Sequence, residues 1–136
     1  MKTRLFFIAL IAGVYAIGTG QVHEEWVARY NGTKNGNDWA YSIVVDGSGN
    51  VYVTGQSCGS GTCSDYATIK YDSLGVEQWV ARYNGPENRN DDASSLVADA
   101  SGNVYVTGAS GGAGVDYDYV SIKYDSLGAE QWVRRY

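Results

Sequence analysis

A 53-residue repeat runs through this chain from residue 24 to its last residue. EEWVARYNG returns as EQWVARYNG and again as EQWVRRY, DGSGNVYVTG returns as DASGNVYVTG, and DYATIKYDSLG returns as DYVSIKYDSLG. The two full repeats align without a gap, and about two thirds of the aligned positions are identical. Because such self-similarity reflects a duplicated structural unit, a fold predicted for one repeat applies to the other.

Each repeat contains four short segments that are rich in β-branched and aromatic residues, as strands are. In the first repeat these segments are Ala40–Val45, Val51–Thr54, Tyr66–Tyr71 and Gln78–Tyr83. The sequences S-G-N and S-L-G lie between them, and their glycines can adopt the positive φ that tight hairpins need. These glycines are Gly49, Gly75, Gly102 and Gly128. No later segment has a helical period, so the mature chain is predicted to be all-β.

Four strands in a repeat of this length are typical of a β-propeller blade. The motifs V-D-x-S-G-N-V-Y-V-T-G, D-Y-x-x-I-K-Y-D-S-x-G and E-Q-W-V-x-R-Y-N-G resemble the bacterial β-propeller repeat family SBBP over residues 24–136. The resemblance implies several blades in an exported or cell-surface protein, and it offers no catalytic residues to transfer. We predict four-stranded antiparallel blades at residues 39–83 and 92–136, and a surplus outer strand at residues 24–32.

Two blades cannot close a propeller ring, so the strand count implies further blades. An N-terminal outer strand in a closed propeller often completes the last blade, and residues 24–32 would suit that position. Either the chain is the N-terminal piece of a longer protein, which we favour, or several copies associate as a homo-oligomer to complete a propeller.

Residues 1–20 are predicted to be a secretory signal peptide. Lys2 and Arg4 precede the uncharged run Leu5–Ile17, whose helix would rise only about 20 Å against about 30 Å for a bilayer core. Cleavage is predicted after residue 16 or 20, and the β-propeller repeat domain at residues 21–136 is predicted to have no membrane span. We therefore expect a secreted or cell-surface protein, with the periplasm as an alternative.

The charge balance argues against a nucleic-acid partner. The chain has 15 acidic residues against 10 lysines and arginines, a formal net charge of −5. Removal of Lys2 and Arg4 with the signal peptide makes the charge more negative still. No basic run is present that could displace the counterions of a phosphate backbone.

The sequence G-Q-S-C-G at residues 55–59 matches the G-x-S-x-G motif of hydrolase nucleophiles. That motif requires a strand, a sharp turn and a helix, together with a histidine base. Here a loop and a strand follow, and the same pattern recurs as G-A-S-G-G at residues 108–112. His23 is the only histidine and could not serve both repeats. Ser57 is therefore predicted to be a turn serine, and we expect the chain not to be an enzyme.

Cys58 and Cys63 lie in the loop after the second strand and have no counterparts in the second repeat. In an oxidising compartment they are predicted to form a disulfide. So small a loop gains less than the ~3 kcal/mol of a 15-residue loop. Free thiols are the next alternative. A redox or metal site is least favoured, because C-x-x-C spacing and further cysteine or histidine ligands are missing.

Two other motifs could suggest cofactors. Asp46 and Asp99 lie in acidic turns and are predicted to accept hydrogen bonds from turn amides, with calcium binding as the alternative. Trp79 and Trp132 end a D-S-x-G-x-x-x-W motif, which is similar to the tryptophan-docking turn of quinoprotein dehydrogenases. We favour their packing between blades, and we assign no cofactor and no metal.

The symmetry of the repeat favours a non-catalytic function, because a catalytic site would break it. We expect a scaffold or a module that binds an unknown protein or glycan, with tyrosines available to stack on sugars. The alternative is a piece of a propeller enzyme, either quinoprotein dehydrogenase-like or a hydrolase. Fold alone does not decide between them.

Overall fold

The structure is a computed structural model that describes residues 23–58 and 64–136, and these residues form two four-stranded antiparallel sheets. Sheet 1 consists of β1 (Asp38–Val45), β2 (Val51–Ser57), β3 (Asp65–Tyr71) and β4 (Glu77–Tyr83). Sheet 2 consists of β5 (Asp91–Ala98), β6 (Val104–Gly111), β7 (Tyr117–Tyr124) and β8 (Glu130–Arg135). Strands pair in sequence order in both sheets, and none of the described residues is helical. The predicted all-β blades are confirmed.

The two sheets repeat each other down to their irregularities. The register of β1 against β2 shifts between Ala40 and Ser42, and that of β5 against β6 shifts at the corresponding place. Gly55 lies beside the first shift, where a Cβ atom would collide with the backbone of Trp39. A bulge of this kind adds one residue to a strand and increases its twist. Because the bulge occurs at the same place in both sheets, it is a structural feature of the blade and does not indicate a functional site.

The hairpin turns contain the predicted glycines. In all four turns the glycine has a φ between 77° and 83°, which residues with a Cβ atom rarely adopt. Each glycine N–H donates to the carbonyl oxygen of the aspartate three residues earlier, at 2.9–3.0 Å. The D-x-S-G-N and D-S-L-G sequences thus fix the register of the strands that they join.

The core lies between the two sheets. β5 packs across β1, β2 and β3, and the strand period of two directs alternate side chains into this layer. The buried side chains from sheet 1 include Tyr52 and Tyr66, and those from sheet 2 include Val104, Val120 and Ile122. The two blades are therefore packed face to face.

The predicted outer strand at residues 24–32 is wrong. None of residues 23–32 belongs to a strand. Its side chains pack on sheet 1 instead, through Trp26, Ala28 and Tyr30. They contact a buried cluster that consists of Val51, Ile69 and Tyr71.

Residues 1–22 and 59–63 lie outside the described residues, and with them lie the predicted signal peptide and Cys63. Within residues 23–58 and 64–136, no helix is long and apolar enough to cross a membrane.

Candidate functional site

Ser57 lies at the end of β2 and not in a turn, since the pairing of β2 with β3 extends as far as Ser57 and Asp65. Its side chain is fully buried. Its Oγ accepts a hydrogen bond of 2.8 Å from Arg82 Nη1, and its carbonyl oxygen accepts one of 2.9 Å from Arg82 Nη2. Arg82 also pairs with Asp65 at 3.1 Å and donates to the Tyr30 hydroxyl at 2.9 Å. The predicted position of Ser57 is therefore wrong, and its oxygen is shielded and engaged by a guanidinium.

The same network is built a second time in sheet 2. Arg135 donates to Ser110 Oγ, to the Gly111 carbonyl oxygen at 3.2 Å and to Asp118 at 3.2 Å. Serine, aspartate and arginine thus tie the second, third and fourth strands of each blade together at one end. The G-x-S-x-G match at Ser57 follows from this structural network.

Sheet 1 has an open apolar face, which we call the sheet 1 groove. Residues 23–32 and strands β1, β2 and β3 line it, and its volume is about 280 Å³. The smaller apolar side chains from the strands are Ala40, Ile43, Val51, Val53, Ala67 and Ile69, and the rings of Trp39 and Tyr71 line it as well. Ile43 is 66% exposed. A concave apolar surface of this kind on a soluble protein typically marks an interaction site.

Each of the six smaller apolar residues has a counterpart 53 residues later, and the counterparts lie in the core between the sheets. They are Ala93, Leu96, Val104, Val106, Val120 and Ile122. Leu96 is 6% exposed, against 66% for Ile43 at the same position of the repeat. The difference arises because sheet 1 covers sheet 2, whereas among the described residues no sheet covers sheet 1. The sheet 1 groove is therefore the face against which a further blade would pack.

Sheet 2 presents the complementary surface, which we call the free face of sheet 2. It consists of Val97, Tyr105, Thr107, Tyr119, Ser121, Trp132, Arg134 and Tyr136. The counterparts of these residues in sheet 1 face sheet 2; Tyr66, for example, is fully buried, whereas Tyr119 is 58% exposed. One chain therefore carries both halves of a blade interface in an uncovered state.

Part of the chain is similar to a known family of repeats. Residues 25–61 match the family model SBBP, described as a β-propeller repeat. Over these residues the chain is similar to a repeat of that family. The matched residues contain Trp26, β1 and β2, so the match begins at the tryptophan segment and continues into the first two strands. The two antiparallel four-stranded sheets are consistent with two propeller blades. No curated protein matches the chain.

Trp79 packs between the two sheets, as predicted. Its ring covers Gly128, where a Cβ atom would lie 2.7 Å from the indole, and its Nε1 donates to the Ser126 carbonyl oxygen at 3.2 Å. Its ring centroid is 6.2 Å from that of Tyr52 and 6.3 Å from that of Tyr124. Trp79 is thus a main contact between the blades.

The aspartates of the D-x-S-G-N turns accept hydrogen bonds from turn amides, as predicted. Asp46 Oδ1 accepts from the N–H groups of Ser48 and Asn50 at 2.8 and 3.0 Å. Its Oδ2 accepts from the Asn50 side chain at 2.8 Å and from the Tyr52 hydroxyl at 3.0 Å. The hydrogen bond from the Asn50 side chain is the main reason that the pKa of Asp46 is lowered to about 2. Asp99 repeats the arrangement, and its pKa is also lowered.

Protonation of Asp46 should destabilise its turn in acid. Because the pKa of Asp46 is lower in the folded protein, its carboxylate stabilises the fold fully at a pH above the ordinary pKa of 3.8. That contribution is lost as the pH falls toward 2. We expect the melting temperature of the protein to fall more steeply over this range than that of Asp46→Asn, which has no carboxyl to titrate. Asp116→Asn, in an exposed loop, is the matched control and should follow the unaltered protein. Parallel curves for the protein and Asp46→Asn would contradict the expectation.

Cys58 follows β2 and is half-buried. Its N–H donates to the Asn37 carbonyl oxygen at 3.3 Å, and its side chain lies beside Gly36, where a Cβ atom would collide with it. The predicted partner, Cys63, lies outside the described residues, so the disulfide stays a prediction. His23 is exposed at the start of the described chain.

Proposed function

We propose that this protein is a non-catalytic β-propeller module that is exported and acts as a scaffold or binds a protein or glycan. The observation that carries the proposal is the duplicated network around Ser57 and Ser110. A nucleophile requires an accessible oxygen beside a base. Both serines are instead buried against an arginine that ties strands together.

The proposal of export rests on the N-terminal sequence. The basic start and the short apolar run Leu5–Ile17 have the organisation of a signal peptide. The net charge of −5 suits an exported protein that does not bind nucleic acid. We propose that it is secreted or displayed at the cell surface.

The proposal of ligand binding rests on aromatic side chains at the surface. Trp39 and Tyr41, on β1, are both exposed. Their counterparts in the second repeat are Asp92 and Ser94, so this aromatic pair breaks the symmetry of the blades. Aromatic rings stack on sugars and anchor protein interfaces at low entropic cost. We therefore assign Trp39 and Tyr41 as the ligand contact.

The test uses protein exported by a bacterial host, after its intact mass has been checked for loss of residues 1–16 or 1–20. Migration is measured in native gels that contain xylan, β-glucan or mannan. We expect at least one polysaccharide to retard the protein, and the double variant Trp39→Ala/Tyr41→Ala to abolish the retardation. The control is Leu74→Ala/Leu127→Ala, which removes two exposed apolar side chains from turns and should migrate like the unaltered protein.

Three outcomes would overturn parts of the proposal. Export without a change of mass would contradict the signal peptide. A protein that none of the polysaccharides retards would remove the glycan ligand and leave a protein partner. Hydrolysis of a polysaccharide, or covalent labelling of Ser57 by an organophosphorus probe, would support the enzyme alternative instead.

A further inference from the structure

The sheet 1 groove and the free face of sheet 2 are the two halves of one interface. We propose that the free face of sheet 2 of one copy docks in the sheet 1 groove of a second copy, so that copies associate head to tail. The interface between the two sheets within one chain shows how the same surfaces fit. The inference depends neither on export nor on a ligand.

The free face of sheet 2 already has the arrangement that docking requires. The ring centroids of Tyr105 and Trp132 are 6.3 Å apart at 54°, and those of Tyr52 and Trp79 are 6.2 Å apart at 55°. Lys123 Nζ lies 5.3 Å from the Tyr105 ring, and Lys70 Nζ lies 5.3 Å from the Tyr52 ring. The surface is therefore arranged before any partner is present, which lowers the entropic cost of association.

The polar contacts of the internal interface also have counterparts. Within one chain, Trp79 Nε1 and Lys70 Nζ donate to the Ser126 carbonyl oxygen at 3.2 and 3.5 Å. The corresponding donors on the free face of sheet 2 are Trp132 and Lys123. The corresponding acceptor is the Ser73 carbonyl oxygen, in the turn beside the sheet 1 groove.

Residues 23–32 occupy part of the site that the second copy requires. Trp26 covers Gly75 as Trp79 covers Gly128, and its ring centroid lies 6.1 Å from that of Tyr71. This segment has no strand ladder to hold it. An incoming β8 can therefore displace it and place Trp132 over Gly75. Association is thus a competition between residues 23–32 of one copy and β8 of another.

Arg134 opposes the docking. It stands at the repeat position of Ala28 and Ala81, and Ala81 is buried in the internal interface. Docking would press the guanidinium of Arg134 into an apolar surface, at a cost in desolvation. The unaltered protein should therefore associate only weakly. Arg134→Ala restores the residue of the other repeats and should lower the dissociation constant at least about tenfold.

Because the two surfaces differ, the contact is heterologous, and added copies extend the assembly into a ring or a filament. This property gives a sharp test in the Arg134→Ala background. Ile43→Glu places a charge in the sheet 1 groove, and Tyr119→Glu places one on the free face of sheet 2. Both positions are exposed in the single chain, so neither variant should disturb folding.

The test measures mass by sedimentation velocity over a range of concentrations. We expect Arg134→Ala to associate at about tenfold lower concentration than the unaltered protein, and each added glutamate to return it to the mass of one chain. An equal mixture of the two glutamate variants should form a dimer and stop there, because each supplies the surface that the other lacks. Leu127→Glu in the same background changes an exposed turn residue outside both surfaces and should still associate.

Two outcomes would overturn the proposal. One is that Arg134→Ala keeps the mass of one chain at every concentration reached. The other is that the glutamate variants associate as Arg134→Ala does, or that their mixture forms no dimer, since association would then use another surface. Circular dichroism of each variant confirms that the comparison is between folded proteins.

Discussion

Replacement of Trp79 by alanine should lower the free energy of unfolding by about 3 kcal/mol, the lower end of the range for large aromatic residues, because Trp79 is partly buried against the core between the blades. The indole packs between the blades on Gly128, lies next to Tyr52 and Tyr124, and donates to the Ser126 carbonyl oxygen. Its removal leaves a cavity in the interface between the blades and takes from the Ser126 carbonyl oxygen the shorter of its two hydrogen bonds. Urea denaturation at low protein concentration measures the loss. The unfolding is monitored by far-UV circular dichroism of the backbone, because the variant lacks one of the tryptophans that fluorescence would report.

The control is Trp132→Ala, which changes the same residue at the same position of the next repeat. Trp132 contacts Tyr105 within its own sheet, but among the described residues no blade covers it. We expect a loss of about 1 kcal/mol, typical of a partly exposed site. Equal losses at Trp79 and Trp132 would mean that packing between the blades does not stabilise the protein.

The strands and their order could be predicted from the sequence because both depend on local signals. The D-x-S-G-N and D-S-L-G turns each place a glycine where the backbone has a positive φ, and they fix a hairpin whatever surrounds it. The alternation in V-Y-V-T-G then decides which side chains share a face. Since consecutive hairpins can only add strands in sequence, the order within each sheet follows.

The state of residues 24–32 could not be predicted from those signals. WVARY forms β4 at residues 79–83, yet the same five residues at positions 26–30 form no strand. A strand exists only where a neighbour completes its hydrogen-bonded ladder, and a sequence does not state which neighbours are present. The side chains of Trp26 and Tyr30 nevertheless pack on sheet 1 as those of β4 pack on sheet 2.

The two uncovered surfaces could not be predicted from local sequence signals either. Tyr52 and Tyr105 lie in the same motif, V-Y-V-T-G, yet Tyr52 is fully buried and Tyr105 is not. Identical neighbours in sequence give different burial because one blade is covered and the other is free. One signal was nevertheless present in the sequence, since Arg134 interrupts a position that holds alanine in the other two repeats. A charge at such a position makes burial of that surface less favourable than burial of its counterpart in sheet 1.

Replacement of Arg82 by alanine should lower the free energy of unfolding by about 3 kcal/mol, the cost of disrupting a partly buried charged network. The guanidinium donates to Ser57 Oγ, to the Ser57 carbonyl oxygen and to Asp65, and so joins β4 to β2 and β3. It also donates to the Tyr30 hydroxyl, and so holds residues 23–32 on sheet 1. Its removal leaves two oxygens of the buried Ser57 without this donor. Thermal and urea unfolding measure the loss.

Two variants, Arg29→Ala and Arg82→Lys, are the controls for this prediction. Arg29 stands at the same repeat position as Arg82 but is exposed, so Arg29→Ala should change the free energy of unfolding by less than about 0.5 kcal/mol. Arg82→Lys keeps the charge but lacks the planar fork that reaches Ser57 and Asp65 together, and should recover only part of the loss. Full recovery by lysine would show that charge alone matters. A loss from Arg29→Ala equal to that from Arg82→Ala would show that the network does not hold the strands together.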